Sequence, residues 1–158
     1  MKLTFLESVF RGFFGAGTAS LGFAVLFNIR GKEIIYAMLA GGIGGLVYNL
    51  LIFFGMDPVM ANFFAAIALS SCGEIFARML KCTVSTFVAC ALIPLVPGGT
   101  AYEMMVCFLD GKIYQGLQKG LEMAAISGML TLGILTVATL TRFFFFTGQR
   151  LKKMKGRS

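Results

Sequence analysis

Apolar stretches separated by short polar breaks set the rhythm of this chain. The first runs from about residue 5 to 28 and stops at Asn28-Ile29-Arg30-Gly31-Lys32-Glu33. The second runs from about Ile34 to Phe54 and stops at Gly55-Met56-Asp57-Pro58. The third covers roughly Val59 to Leu80 and ends at Lys81. The fourth begins near Thr83 and reaches Leu109, before Asp110-Gly111-Lys112. The last covers roughly Ile113 to Phe146, with Met123 to Phe145 as its hydrocarbon-crossing part. About 20 apolar residues carry a helix across a hydrocarbon layer. The pattern predicts an all-α polytopic membrane protein with about five transmembrane helices, forming one membrane domain over residues 1–158.

The fourth stretch departs from the rest. Ala91-Leu92-Ile93-Pro94-Leu95-Val96-Pro97-Gly98-Gly99-Thr100-Ala101-Tyr102 places two prolines and two glycines inside an apolar run. Proline lacks a backbone donor and clashes with the preceding turn, so the helix breaks between Pro94 and Gly99. In hydrocarbon the freed backbone groups need partners from protein or from a water-lined cavity. Secondary transporters bind substrate at broken helices of this kind. The amides of Gly98, Gly99 and Thr100 would open a second half-helix, whose positive end attracts a carboxylate. Tyr102 and Glu103 follow within its first turn.

Composition strengthens the membrane reading. The chain is 58% hydrophobic and 13% charged, with a mean hydropathy of +0.85. Soluble domains run nearer a quarter charged. Histidine, the commonest general base and metal ligand, is absent. Cys72, Cys82, Cys90 and Cys107 lie in apolar surroundings without CxxC spacing, as small buried or lipid-facing thiols do. No nucleophile elbow, Walker A loop or metal-ligand cluster is found, so neither an enzyme nor a bound cofactor or metal is expected.

The formal charge of +7 belongs to membrane topology and not to nucleic acid. Arg150, Lys152, Lys153, Lys155 and Arg157 cluster behind the last span as a juxtamembrane basic tail from about residue 147. With five spans, Arg30, Lys32, Arg78, Lys81, Arg142 and this tail share one side, ten basic residues in all. Lys2, Arg11, Lys112 and Lys119 lie on the other. Basic residues collect on the cytoplasmic side. The tail is therefore expected in the cytoplasm and the N-terminus outside, with an uncleaved first span. An odd number of spans also makes this chain a candidate half of an inverted pair, a common transporter design.

Small residues recur every four positions: Ala37, Gly41 and Gly45 in the second span, and Gly116, Gly120, Ala124 and Gly128 in the last. Such stripes let helices approach closely in lipid. Glu74 and Arg78 stand four apart with Lys81 on the same helix face, the spacing of an interfacial ion pair. The alternative is a place on the transport route, where Arg78 would suit a carboxylate and Glu74 a proton or an ammonium group. Asn49, Asn62 and Glu122 are candidates for lining a cavity.

Three elements resemble the threonine/serine exporter family. They are Phe23-Ala24-Val25-Leu26-Phe27-Asn28 before a basic loop and a glycine-rich span, Glu74-Ile75-Phe76-Ala77-Arg78 with Lys81, and Ile93-Pro94-Leu95-Val96-Pro97-Gly98-Gly99 with Tyr102. The match is to the short form, equivalent to the C-terminal membrane half of the full exporter. Thr83 stands near where the family commonly has proline, and Cys90-Ala91 stand where a Pro-Gly pair often precedes the break. The resemblance implies export of threonine and serine across a bacterial inner membrane, driven by the proton-motive force. Related split systems imply small carboxylates such as succinate. It also implies a longer partner with a cytoplasmic domain and the complementary membrane half.

Substrate is expected near Pro94, Pro97, Gly98, Gly99, Thr100 and Tyr102, with Arg78 as a second carboxylate site. Glu74 and Glu103 are the proton-coupling candidates. The rival readings are a non-transporting scaffold that stabilises the partner and a passive channel.

Overall fold

The computed structural model describes the backbone of residues 2–155, and the side chains of Glu7 and residues 9–143. Among these residues every element is helical: α1 (Lys2–Leu26), α2 (Glu33–Phe53), α3 (Pro58–Leu80), α4 (Val84–Leu92), a 3-10 turn (Ile93–Leu95), α5 (Gly98–Leu109) and α6 (Ile113–Lys155). Four helical segments are long and apolar enough to cross a membrane: Val9–Leu26, Glu33–Phe53, Pro58–Leu80 and Ile113–Phe143. Val84–Leu95 and Gly98–Leu109 pass the same test only as a pair, bent by 45° at the break, which makes four candidate spans, or five if the pair counts as one. Arg150, Lys152, Lys153 and Lys155 fall on the last turns of α6, and Arg157 lies outside the described residues.

The turns sit where the sequence supplies the chemistry. Gly31, Gly55 and Gly111 take positive φ in the α1–α2, α2–α3 and α5–α6 connections. Asp57 caps α3, its Oδ2 accepting from the Val59 amide at 3.1 Å, and Pro58 opens the helix. Asp57→Ala should cost about 1 kcal/mol, read as a lower midpoint in reversible denaturation. An unchanged midpoint would show that this cap contributes nothing.

The bundle is built on close backbone approaches. A Cβ on Gly41 would run into the Ser20 side chain, and one on Gly45 would run into Ala16 and the Gly12 carbonyl. The Ala37–Gly41–Gly45 stripe is thus the α1–α2 seam, antiparallel and closely packed. The stripe on α6 divides its work. Gly116 and Gly120 seat Phe108 and Met104 of α5, whereas a Cβ on Gly128 would meet no neighbouring element within 4 Å. Contact with α3 comes instead at Gly133, against Ala66 and the Phe63 carbonyl.

These contacts fix the directions. α6 runs parallel to α3, and α5 folds back on the first turns of α6. The N-terminus and the α2–α3 and α5–α6 turns share one face, the N-terminal face. The α1–α2 and α3–α4 turns share the opposite face. Two buried clusters fill the bundle. Ala40, Ala65, Leu69, Ala91, Leu95 and Leu130 pack at its middle. Ala24, Ile29, Ala37, Ala77, Phe87 and Cys90 pack toward the opposite face, and Phe87 is the largest fully buried side chain. α5 has no buried residue. α6, with 43 residues, is about 65 Å long at 1.5 Å per residue, roughly twice the hydrocarbon thickness.

Candidate functional site

The break in the fourth span is one wall of a cavity of about 460 Å³. Pro94 cannot donate to the helix, so α4 gives way to a 3-10 turn. Val96 is extended, and its carbonyl accepts from the Gly98 amide at 2.7 Å. α5 then starts at Gly98. Helical geometry leaves the amides of its first turn, including Gly99 and Thr100, without intrahelical acceptors. Pro94, Leu95, Val96, Pro97 and Thr100 line the cavity.

Three other helices and α6 complete it. Arg11, Gly12, Gly15, Ala16 and Ala19 come from α1, and Gly45, Tyr48 and Asn49 from α2. Asn62 of α3 and Ile126 of α6 close the ring. The α2 and α3 contributors lie in the helix halves nearer the N-terminal face, while those of α1 run from Arg11 past the helix midpoint to Ala19, so the cavity reaches from that side to about the middle of the bundle. Its floor is the Leu95 cluster, and beyond that lies the packed layer around Phe87.

The polar groups have defined roles. Asn49 Nδ2 donates to the Gly45 carbonyl at 2.9 Å, and Asn62 Nδ2 donates to the Pro58 carbonyl at 2.8 Å. Each carboxamide oxygen is left as an acceptor. With the Tyr48 and Thr100 hydroxyls they suit a small polar molecule. Arg11 supplies the positive charge, and no Asp or Glu lines the cavity.

The sequence-predicted residues divide around this site. Pro94, Pro97 and Thr100 line it, as do Asn49 and Asn62. Gly98 and Gly99 are exposed beside it at the start of α5. Tyr102 is 71% exposed and not part of the lining. Arg78 lies 16 residues beyond Asn62 on α3, about 24 Å along the helix, and lines a separate groove with Ser71, Thr136 and Thr141. It pairs with Glu74 at 3.2 Å. Glu103 is held by Lys119 at 3.0 Å, and Lys119 also reaches Glu122 at 3.3 Å, so these charges tie α5 to α6 outside the cavity. At the opposite face, desolvation, followed by the nearby Glu33 carboxylate, raises the Cys82 thiol above its ordinary range, which disfavours the thiolate.

Arg11 and Tyr48 are the cavity-lining side chains that sequence reasoning missed. Arg11 counts as a flanking charge when only the apolar run is read. Its signal was the run Arg11, Gly15 and Ala19 at steps of four, opposite a second small-residue stripe.

The family model described as "Threonine/Serine exporter, ThrE" matches residues 12–140 of this chain. An uncharacterized protein of Haemophilus influenzae is 26% identical over 127 residues, covering 75% of this chain and 43% of that relative. The chain therefore spans less than half the length of that relative. No solved structure matches it.

Proposed function

The chain belongs to the threonine/serine exporter family, and from that premise we propose that it is a subunit of a secondary transporter. It exports small amino acids such as threonine and serine, or small carboxylates, across the bacterial inner membrane, driven by the proton-motive force. The observation that carries this reading is the cavity at the broken span. It joins a half-helix N-terminus, two carboxamides, two hydroxyls and a guanidinium within a membrane bundle. A zwitterion or small acid fits such a lining, with its carboxylate toward the positive groups and any ammonium toward the Asn49 and Asn62 oxygens.

The longer partner supplies a cytoplasmic domain and an inverted membrane half. The exposed α5 and the 43% coverage of the relative both favour a chain that works with more protein around it. With the N-terminus outside and the basic end of α6 in the cytoplasm, the cavity is outward-facing and the Phe87 layer is the cytoplasmic closure.

Glu74 and Glu103 are the carboxylates proposed for proton coupling, acting from outside the cavity. Glu74→Gln should remove the dependence of export on the pH gradient while insertion is kept. The pair with Arg78 is partly exposed, so its loss changes stability by less than about 1 kcal/mol. Gradient-driven export by that variant at the wild-type rate would take Glu74 out of the mechanism.

The deciding experiment is efflux of preloaded threonine, serine and succinate from cells with this chain, with and without a longer family partner. Saturable, gradient-dependent efflux with both chains supports the proposal and names the substrate. Unsaturable flux would make it a channel. No efflux, with both proteins in the membrane, would leave a scaffold.

A further inference from the structure

We propose that Arg11 fixes the charge class of the ligand: the cavity takes a small organic molecule with a free carboxylate and rejects the corresponding amine. This deepens the transport reading and rests on it. Arg11 lies within the apolar window Val9–Leu26 and lines the cavity with Tyr48, Asn49 and Asn62. Guanidinium stays protonated at any working pH. An ionised side chain inside a membrane span is costly and marks a pathway by default. Among the described residues, Arg11 has no hydrogen-bond or ion-pair partner. The charge is therefore available to a ligand.

Two further features give it selectivity. No carboxylate lines the cavity, so nothing there balances a cationic ligand. The break adds the positive end of α5 on another wall, through Thr100. Asn49 and Asn62 offer neutral oxygens that accommodate an ammonium group only when its own carboxylate offsets Arg11. The backbone beneath Arg11 is fixed, since a Cβ on the neighbouring Gly12 would run into Gly45 and Asn49 at the α1–α2 seam, and the Arg11 side chain itself is exposed.

The test is calorimetric binding to the purified chain in nanodiscs of zwitterionic lipid. The probes are threonine, succinate and 1-amino-2-propanol, which is threonine without its carboxylate. Wild-type protein should bind threonine or succinate and not the amine. Arg11→Gln should weaken carboxylate binding by about tenfold or more, as loss of a charged hydrogen bond does, and Arg11→Lys should recover part of it.

An arginine that only reaches toward lipid headgroups would leave affinity unchanged in Arg11→Gln, and that result overturns the proposal. So does wild-type binding of 1-amino-2-propanol as tight as that of threonine, or no carboxylate binding at all. If Arg11→Gln does not assemble, the wild-type comparison of threonine with its amine decides. Carboxylate binding that depends on Arg11, but without export from cells, would retain this inference and reject the transport reading.

Discussion

Gly45→Val will force α1 away from α2 and abolish the export proposed for this chain. A Cβ at this position overlaps Ala16 and comes 2.5 Å from the Gly12 carbonyl oxygen. Neither obstacle is the mobile end of a long side chain, so relief requires the helices to separate. Overpacking of this kind costs about 1–3 kcal/mol, and β-branched valine belongs at the upper end. Gly45, Gly12 and Ala16 all line the cavity, so the same displacement deforms its α1–α2 wall and moves Arg11 and Asn49 apart. Export below a tenth of wild type, with a lower unfolding midpoint, is the expected pair of results. Gly22→Ala is the control, because a Cβ there meets nothing within 4 Å and alanine favours helix by about 1 kcal/mol. Wild-type export and stability in Gly45→Val would show that the seam is not close-packed.

Phe87→Ala should have the largest effect on stability. Its side chain is wholly buried in a cluster with Ala24, Ala37, Ala77 and Cys90, and its ring meets that of Phe76 edge-on with centroids 6.5 Å apart. Core Phe→Ala changes cost about 3–5 kcal/mol where the site cannot relax. The consequence for function is a breach of the closed end. Cys90 reports it directly, since it is fully buried in the same cluster. With Cys72, Cys82 and Cys107 replaced, wild-type Cys90 should resist a membrane-impermeant thiol reagent applied to the opposite face. In Phe87→Ala it should react at a rate measurable within minutes. Equal protection in both proteins would mean that another layer closes the bundle.

The helices and the break were legible because their signals are local. Polar residues and glycines end the earlier apolar runs within a few residues of the observed helix ends, whereas α6 continues past the expected end at Phe146 to Lys155, and Pro94 and Pro97 can only interrupt a helix. The cavity was partly legible, through Asn49, Asn62 and the break, since buried amides in apolar helices need a reason to be there. What escaped was set by geometry between helices. Thr100 and Tyr102 are two residues apart on α5, about 200° around its axis, so one faces the cavity while the other is exposed. Arg78 shares α3 with Asn62 but stands near the other end of that helix. Arg11 reads as an end-of-span charge until the α1–α2 seam places it in the wall.

In the proposed orientation, a cavity open to one side would reshape the electric field across the membrane. If water fills the space that reaches the break, it would short-circuit the part of the bilayer it occupies, and the transmembrane voltage would fall mainly across the packed layer around Phe87. Moving one elementary charge through the whole field is worth about 2.3 kcal/mol per 100 mV. A thin insulating layer concentrates that work into the few ångströms over which Phe87 and its neighbours separate. A charged substrate would therefore reach its binding site almost free of the potential and meet nearly all of it during the step that opens the far side. Voltage would then govern the rate of that opening and leave the binding affinity nearly untouched.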